Sequence, residues 1–287
     1  MKKIKVTVTS LQHCIVSAKA VDLVMFMGQS NMAGRGTDLS VATSLNDGEG
    51  YEFRAISDPT KLYKAVEPFG VNENNASGIA EVGMKTGSPV TSFMKSYYKY
   101  TKVPIVGISA SKGGSAISTW QPNGAYLNDS IGRLDSAKTW LKANGYRIRR
   151  CFMVWLQGET DGDNNTTKAD YTNGITAMIE EMVNNQEIEK CFLIRIGNHR
   201  DLPSQYDNII SAQTDLCRTY NKAVMISTRL TSYAVAGLMK DTFHYFQPAY
   251  NEFGTEAGAN TAFYVNNVKE PTMYDTKYDS LYFTHKN

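Results

Sequence analysis

An acyl-transferring serine needs a base to take its proton, an acid to orient that base, and N–H donors for the oxyanion that forms. The sequence offers residues for each role. Ser30 lies in the glycine-bounded segment Gly28-Gln29-Ser30-Asn31-Met32-Ala33-Gly34. Of the four histidines, His244 stands out, because Asp241-Thr242-Phe243-His244 brings a carboxylate within one turn of the imidazole. At that spacing Asp241 can accept from one ring nitrogen while the other faces Ser30. His13 lies upstream of the first long apolar run and His285 in a polar tail, and His199 has only Asp201 near it. Two segments offer oxyanion donors. Ser111-Lys112-Gly113-Gly114-Ser115 has backbone N–H groups that glycine lets approach a ligand closely. Gln157, in Gln157-Gly158-Glu159-Thr160-Asp161, offers a side-chain amide.

These segments need a frame, and three of them follow apolar runs. Residues 21–27, apolar apart from Asp22 and too short for a buried helix, read as a fully buried strand. Residues 103–110 and 151–156 read the same way, and 191–196 and 223–227 complete a set of five. Buried parallel strands end at the carboxyl edge of a sheet, where ligands bind. Ser30 is therefore expected at the mouth of a cleft, on a turn set by Gly28. Helical stripes lie between the strands: Ile131, Leu134, Ala137 and Leu141; Tyr171, Ile175, Met178, Ile179 and Met182; Ile209, Ile210, Leu216, Cys217 and Tyr220. They read as core contacts against a sheet. The alternation predicts an α/β fold with a doubly wound parallel sheet. Residues 248–265 read as a closing helix with Pro248 in its first turn.

Four blocks now stand in order: Gly28 to Met32, Gly113 to Ser115, Gln157 to Asp161, and Asp241 to His244. In this the chain resembles the SGNH hydrolases, and within them the sialate O-acetylesterase-like and acetylxylan esterase group, carbohydrate esterase family 6. The resemblance covers about residues 21–265. It implies a three-layer α/β/α sandwich with a central five-stranded parallel sheet, of the SGNH or flavodoxin-like kind. It also implies roles. Ser30 attacks an acetyl ester, His244 takes its proton and later activates water, and Asp241 orients His244. The N–H of Ser30, the N–H of Gly114 and the Gln157 amide form the oxyanion hole. Glu159, the acid of the Q-G-E block, is the alternative partner for His244; the short spacing favours Asp241. Many members carry His before Q-G-E, where this chain has Leu156.

The remaining features bound the reading. A chain of 287 residues with 42% hydrophobic and 20% charged residues suits one large α/β core. The expected organisation is an N-terminal extension or strand (1–20), an esterase domain (21–265) and a C-terminal tail (266–287). Within the domain, 37–88 is long, rich in Gly, Asn, Asp and Ser, and lacks a helical period. It either shapes the cleft or is an irregular insertion with a small hairpin, for example 51–56 with 62–66. Net charge is +2, and Arg147-Ile148-Arg149-Arg150 reads as a solvated loop before a strand, so no nucleic-acid partner is expected. No apolar stretch approaches the length of a membrane span. Met1-Lys2-Lys3 and Ala18-Lys19-Ala20 make a poor signal peptide, interrupted by Gln12 and His13, while Ile4, Val6 and Val8 alternate as in a half-buried strand. The compartment stays open between extracellular, periplasmic and virion-associated. Four cysteines without a C-x-x-C pair suggest no zinc ribbon. Asp161-Gly162-Asp163-Asn164-Asn165 opens like a calcium loop, but Thr166 and Thr172 replace its Gly and Glu. Neither a metal nor a cofactor is expected. Trp120 follows the second block and is a candidate to stack on a sugar, against the commoner role of a buried tryptophan.

Three functions are compatible with these residues. The first is a carbohydrate O-acetylesterase acting on acetylated xylan, another polysaccharide or O-acetylated sialic acid. The second is a short-chain acyl, aryl or lipid esterase with the same three residues. The third is a non-catalytic glycan-binding module, against which the intact Ser30, Asp241 and His244 argue.

Overall fold

Continuous apolar runs become strands here because both faces of one sheet are covered by helices. The computed structural model describes residues 18–283. Of the expected N-terminal extension or strand (1–20), residues 1–17, with His13 and Cys14, fall outside them, as does His285, while Lys19 and Ala20 open the first strand of the sheet. In chain order the elements are β1 (Lys19–Gly28), α1 (Ser30–Ala33), β2 (Gly50–Arg54), β3 (Asp58–Lys64), α2 (Val90–Thr101), β4 (Ile105–Ser111) and α3 (Ala125–Ala143). Next come β5 (Tyr146–Leu156), α4 (Glu159–Asp163), α5 (Lys168–Asn185), β6 (Cys191–Ile194), α6 (Asp207–Thr219), β7 (Ala223–Ser227) and α7 (Gln247–Asn267). A small hairpin, β8 (Met273–Asp275) and β9 (Ser280–Tyr282), follows.

The sheet runs β3-β2-β4-β1-β5-β6-β7. Its five central and right-hand strands, β4, β1, β5, β6 and β7, are the five read from the apolar runs, and all pair in parallel. The expected count of five is corrected to seven. The hairpin of the 37–88 segment adds β2 parallel to β4, and β3 antiparallel at the edge. From β1 the chain crosses one way to β4, then the other way through β5, β6 and β7. Right-handed crossovers therefore place α2 on one face and α3, α5 and α6 on the other. α7 lies along α2, close enough that a Cβ at Gly258 would meet the Phe93 carbonyl at 2.2 Å. Three layers result, and the crossover direction reverses at β1 and β4, where a crevice opens at the carboxyl edge.

The three helical stripes sit as read, with Leu134, Ala137, Ile175, Met178, Ile209 and Cys217 all buried. α2 was not anticipated, although Val90, Phe93, Met94 and Tyr97 repeat at helical spacing and are all buried. The segment expected as a tail is tied to the sheet. Arg195, fully buried just past β6, makes a bidentate pair with Asp275 of β8, 2.6 Å on each arm. Tyr282 of β9 is likewise buried.

Candidate active site

Gly28 sets the turn that carries Ser30. Its φ is +134°, and a Cβ there would meet the Leu156 carbonyl oxygen at 2.0 Å. No other residue fits this close approach. Flanking backbone bonds fix the turn between β4 and β5: Gln29 N donates to Leu156 O at 3.0 Å, and Lys112 N to Gly28 O at 2.8 Å. Ser30 opens α1 immediately afterwards, almost buried at the floor of a cleft.

The structure brings Ser30, His244 and Asp241 together in one line. His244 Nε2 lies 2.8 Å from Ser30 Oγ, and His244 Nδ1 lies 2.9 Å from Asp241 Oδ2. The other Asp241 oxygen accepts from the backbone N–H of His244 (2.8 Å) and of Phe243 (3.1 Å). The three-residue spacing thus closes a local turn that aims the carboxylate at its own histidine. Burial raises the Asp241 pKa, but those N–H groups and the imidazole outweigh it and the net shift is downward. Burial lowers the His244 pKa, Asp241 opposes this, Arg35 reinforces it, and the net shift is also downward. A neutral imidazole with Nδ1–H on Asp241 presents a free Nε2 lone pair to the serine hydroxyl.

Glu159 does not meet His244. Its Oε1 accepts from Asn31 Nδ2 at 2.6 Å, while Oε2 has no hydrogen-bond partner among the described residues. Burial pushes its carboxyl up to about 7, against the stabilising Asn31 contact. Gly114 stands at the cleft with φ +70° and no atom within 4 Å of a would-be Cβ. Among the described residues, no acceptor is assigned to the N–H of Ser30 or of Gly114. The neighbouring Gly113 N–H is taken by Glu81 Oε1 at 2.7 Å.

Two expectations are corrected. Gln157 is fully buried, and its amide nitrogen donates to Ser115 O (2.9 Å) and to an Asp161 carboxylate oxygen. Both amide hydrogens are spent inside the protein, which leaves none for an oxyanion. Trp120 is also fully buried, edge-on to Trp155, with its indole N–H on Ser115 Oγ at 2.9 Å. It holds the Gly113–Gly114 loop and presents no face to a sugar.

The cleft encloses about 390 Å³. One wall carries Arg35, Glu81 and Lys112, in which Glu81 accepts from Arg35, from Lys112 (3.3 Å) and from Gly113 N. Phe243 and Met84 supply apolar surface. Glu81 and Met84 come from the 37–88 segment, which carried no local signal that they would arrive here. Asn31 and Gln29 were legible only as members of the serine block; Gln29 Oε1 accepts from the N–H of Gly158 (3.1 Å) and of Thr160 (3.3 Å) and so braces the next loop. A larger groove of about 980 Å³ runs beside α2 and α7 but holds none of the expected site residues. Among the described residues, no group of three or more His, Cys, Asp or Glu is arranged to hold a metal ion. No described helix is long and apolar enough to cross a membrane.

Comparison with known proteins follows from this geometry. The profile described as carbohydrate esterase, sialic acid-specific acetylesterase, matches residues 20–262. Among solved structures, a protein from Arabidopsis thaliana superposes with a TM-score of 0.64 at 19% identity, over 87% of this chain and 99% of that one. NanS superposes with a TM-score of 0.62 at 13% identity, over 89% and 100%. XAC1771, a carbohydrate acetylesterase from Xanthomonas citri, gives 0.54 at 16% identity, over 88% of this chain and 60% of that one. At these identities the superpositions carry the fold alone. A search of curated protein sequences finds no match.

Proposed function

The chain belongs to the carbohydrate esterase family of sialic acid-specific acetylesterases, and from that premise we propose that Ser30, His244 and Asp241 carry out its hydrolysis of O-acetyl groups on carbohydrate. His244 Nε2 takes the Ser30 proton as Oγ attacks the acetyl carbonyl. Asp241 holds the tautomer and stabilises the imidazolium that forms. The N–H groups of Ser30 and Gly114 receive the oxyanion, with Gln157 holding the Gly114 loop from behind. As the ester C–O bond breaks, His244 returns the proton to the leaving sugar oxygen, which departs as a hydroxyl, and water, deprotonated by His244, repeats the sequence on the acetyl-serine to release acetate and Ser30. The observation that carries this reading is the continuous line Asp241–His244–Ser30, with both contacts at 2.9 Å or less.

The open cleft and its charged wall favour a polar, hydroxyl-rich substrate over a long acyl chain. No metal and no cofactor enter the scheme, and neither nucleic acid nor a membrane is a partner. A panel of p-nitrophenyl esters of rising chain length, run beside acetylated xylan and O-acetylated sialic acid, tests the substrate. Acetyl esters should be preferred and acetylated sugar should be deacetylated. A preference for long acyl chains, with no release of acetate from either carbohydrate, would replace this reading with a lipid or aryl esterase.

A further inference from the structure

Ser30 and His244 sit on separate pieces of chain, and the site works only if both are held in one geometry. Asn31, fully buried beside the nucleophile, makes that connection. Its amide nitrogen donates to the Phe243 backbone carbonyl at 2.9 Å and to Glu159 Oε1 at 2.6 Å. Its oxygen accepts from the Tyr250 hydroxyl at 2.7 Å. Among the described residues, the Asn31–Phe243 bond is the one hydrogen bond, apart from Ser30–His244 itself, that joins residues 29–34 to residues 238–246. Phe243 is also the residue whose N–H meets Asp241. The bond therefore reaches the backbone between the acid and the base.

The chemistry calls for an amide of this length. Aspartate has the same shape but offers only acceptors to a carbonyl and a carboxyl. Glu159 Oε1 accepts whether or not its carboxyl carries a proton, so the anchor does not depend on ionisation. Tyr250 fixes which way the amide is turned.

We propose that Asn31 is a positioning residue: by bridging Glu159 and the Phe243 carbonyl, it sets the distance and angle at which the His244 imidazole meets the Ser30 hydroxyl. This rests on Ser30 and His244 being the reacting pair. A reacting group displaced by about 1 Å can lose on the order of a hundredfold in rate. A buried asparagine with a merely structural role would lower stability and leave turnover of the folded enzyme alone.

The test compares Asn31→Asp and Tyr250→Phe in the full chain with p-nitrophenyl acetate. Asn31→Asp should lower kcat roughly a hundredfold with KM nearly unchanged, and should shift the pH profile of kcat/KM. Tyr250→Phe keeps the ring and removes one hydroxyl; it should lower kcat several-fold. The two effects should be non-additive, since both act through one bridge. Wild-type kcat and pH profile in folded Asn31→Asp would overturn the proposal. If Asn31→Asp fails to fold, Tyr250→Phe decides: wild-type kcat overturns it, and a lower kcat at constant KM supports it. Ser30→Ala separates the two levels. Turnover in that variant defeats the reading of the reacting pair. Loss of turnover there, with wild-type rates in both other variants, defeats only the role of Asn31.

Discussion

At the scale of single residues, the proposed reading turns on a division of labour between two carboxylates. Asp241 faces the imidazole and stays ionised; Glu159 is buried, titrates near 7 and faces Asn31. Asp241→Asn should leave His244 in the wrong tautomer, at a cost on the order of ten-thousandfold in kcat near neutral pH. Glu159→Gln should be far milder, because an amide oxygen can still accept from Asn31. Steady-state kinetics of the pair checks the assignment; equal losses would count against it. Glu159 also predicts a pH dependence of stability. Its folded pKa of about 7 lies above the ordinary 4.5, so between these values the folded state binds more protons than the unfolded one. The contribution is thus favourable at low pH and is lost as pH rises through about 7. In paired urea titrations, the stability of Glu159→Gln relative to the parent should rise between pH 4.5 and 7. A flat difference would mean that burial does not raise the Glu159 pKa as described. The serine block, Gly114 and the Asp-x-x-His spacing were legible in sequence because their contacts are local or follow a strand. Gln157 and Trp120 were misassigned, since sequence shows that a side chain lies beside a site but not which of its atoms are already bonded.

Elements place those residues, and most of them could be read because burial on two faces leaves a plain apolar signature. The five runs that became β1, β4, β5, β6 and β7 carry little but hydrophobic residues. β2, β3 and α2 were harder. A hairpin at 51–56 with 62–66 was one of two readings of 37–88, and the strands lie at 50–54 and 58–64; β3 is exposed along much of its length, which blurs its bounds in sequence. The helical repeat of α2 stands just after 37–88 and was obscured by it. The β8–β9 hairpin gave no signal at all, because its ties are long-range: Arg195–Asp275, Lys277–Asp207 and Thr231–Thr276. Asp275→Ala would leave the Arg195 guanidinium buried without its anion. The expected loss is about 3–5 kcal/mol of folding stability, measured by urea denaturation. A change under about 1 kcal/mol, the scale of a surface pair, would show that the hairpin is not sealed to the sheet. Activity at low denaturant should survive, since neither Arg195 nor Asp275 lines the cleft.

Across the whole molecule, the chain gathers its chemistry at the carboxyl edge of one sheet, where β1 and β4 send their crossovers in opposite directions. Loops after β1, β4 and β5 meet there with the loop that precedes α7, and the 37–88 segment adds a wall through Glu81 and Met84. Helices cover both faces of this sheet, and the fold brings together Ser30 and His244, which are 214 positions apart in sequence. The central claim is that Ser30 is the nucleophile. Its most direct test is acetyl-ester hydrolysis by wild type and Ser30→Ala, with a fluorophosphonate adduct mapped by mass spectrometry in the wild-type chain. The account predicts that Ser30→Ala is folded and inactive, and that the phosphonate is found on Ser30. Turnover in Ser30→Ala, or a label on Ser115 instead, would contradict it.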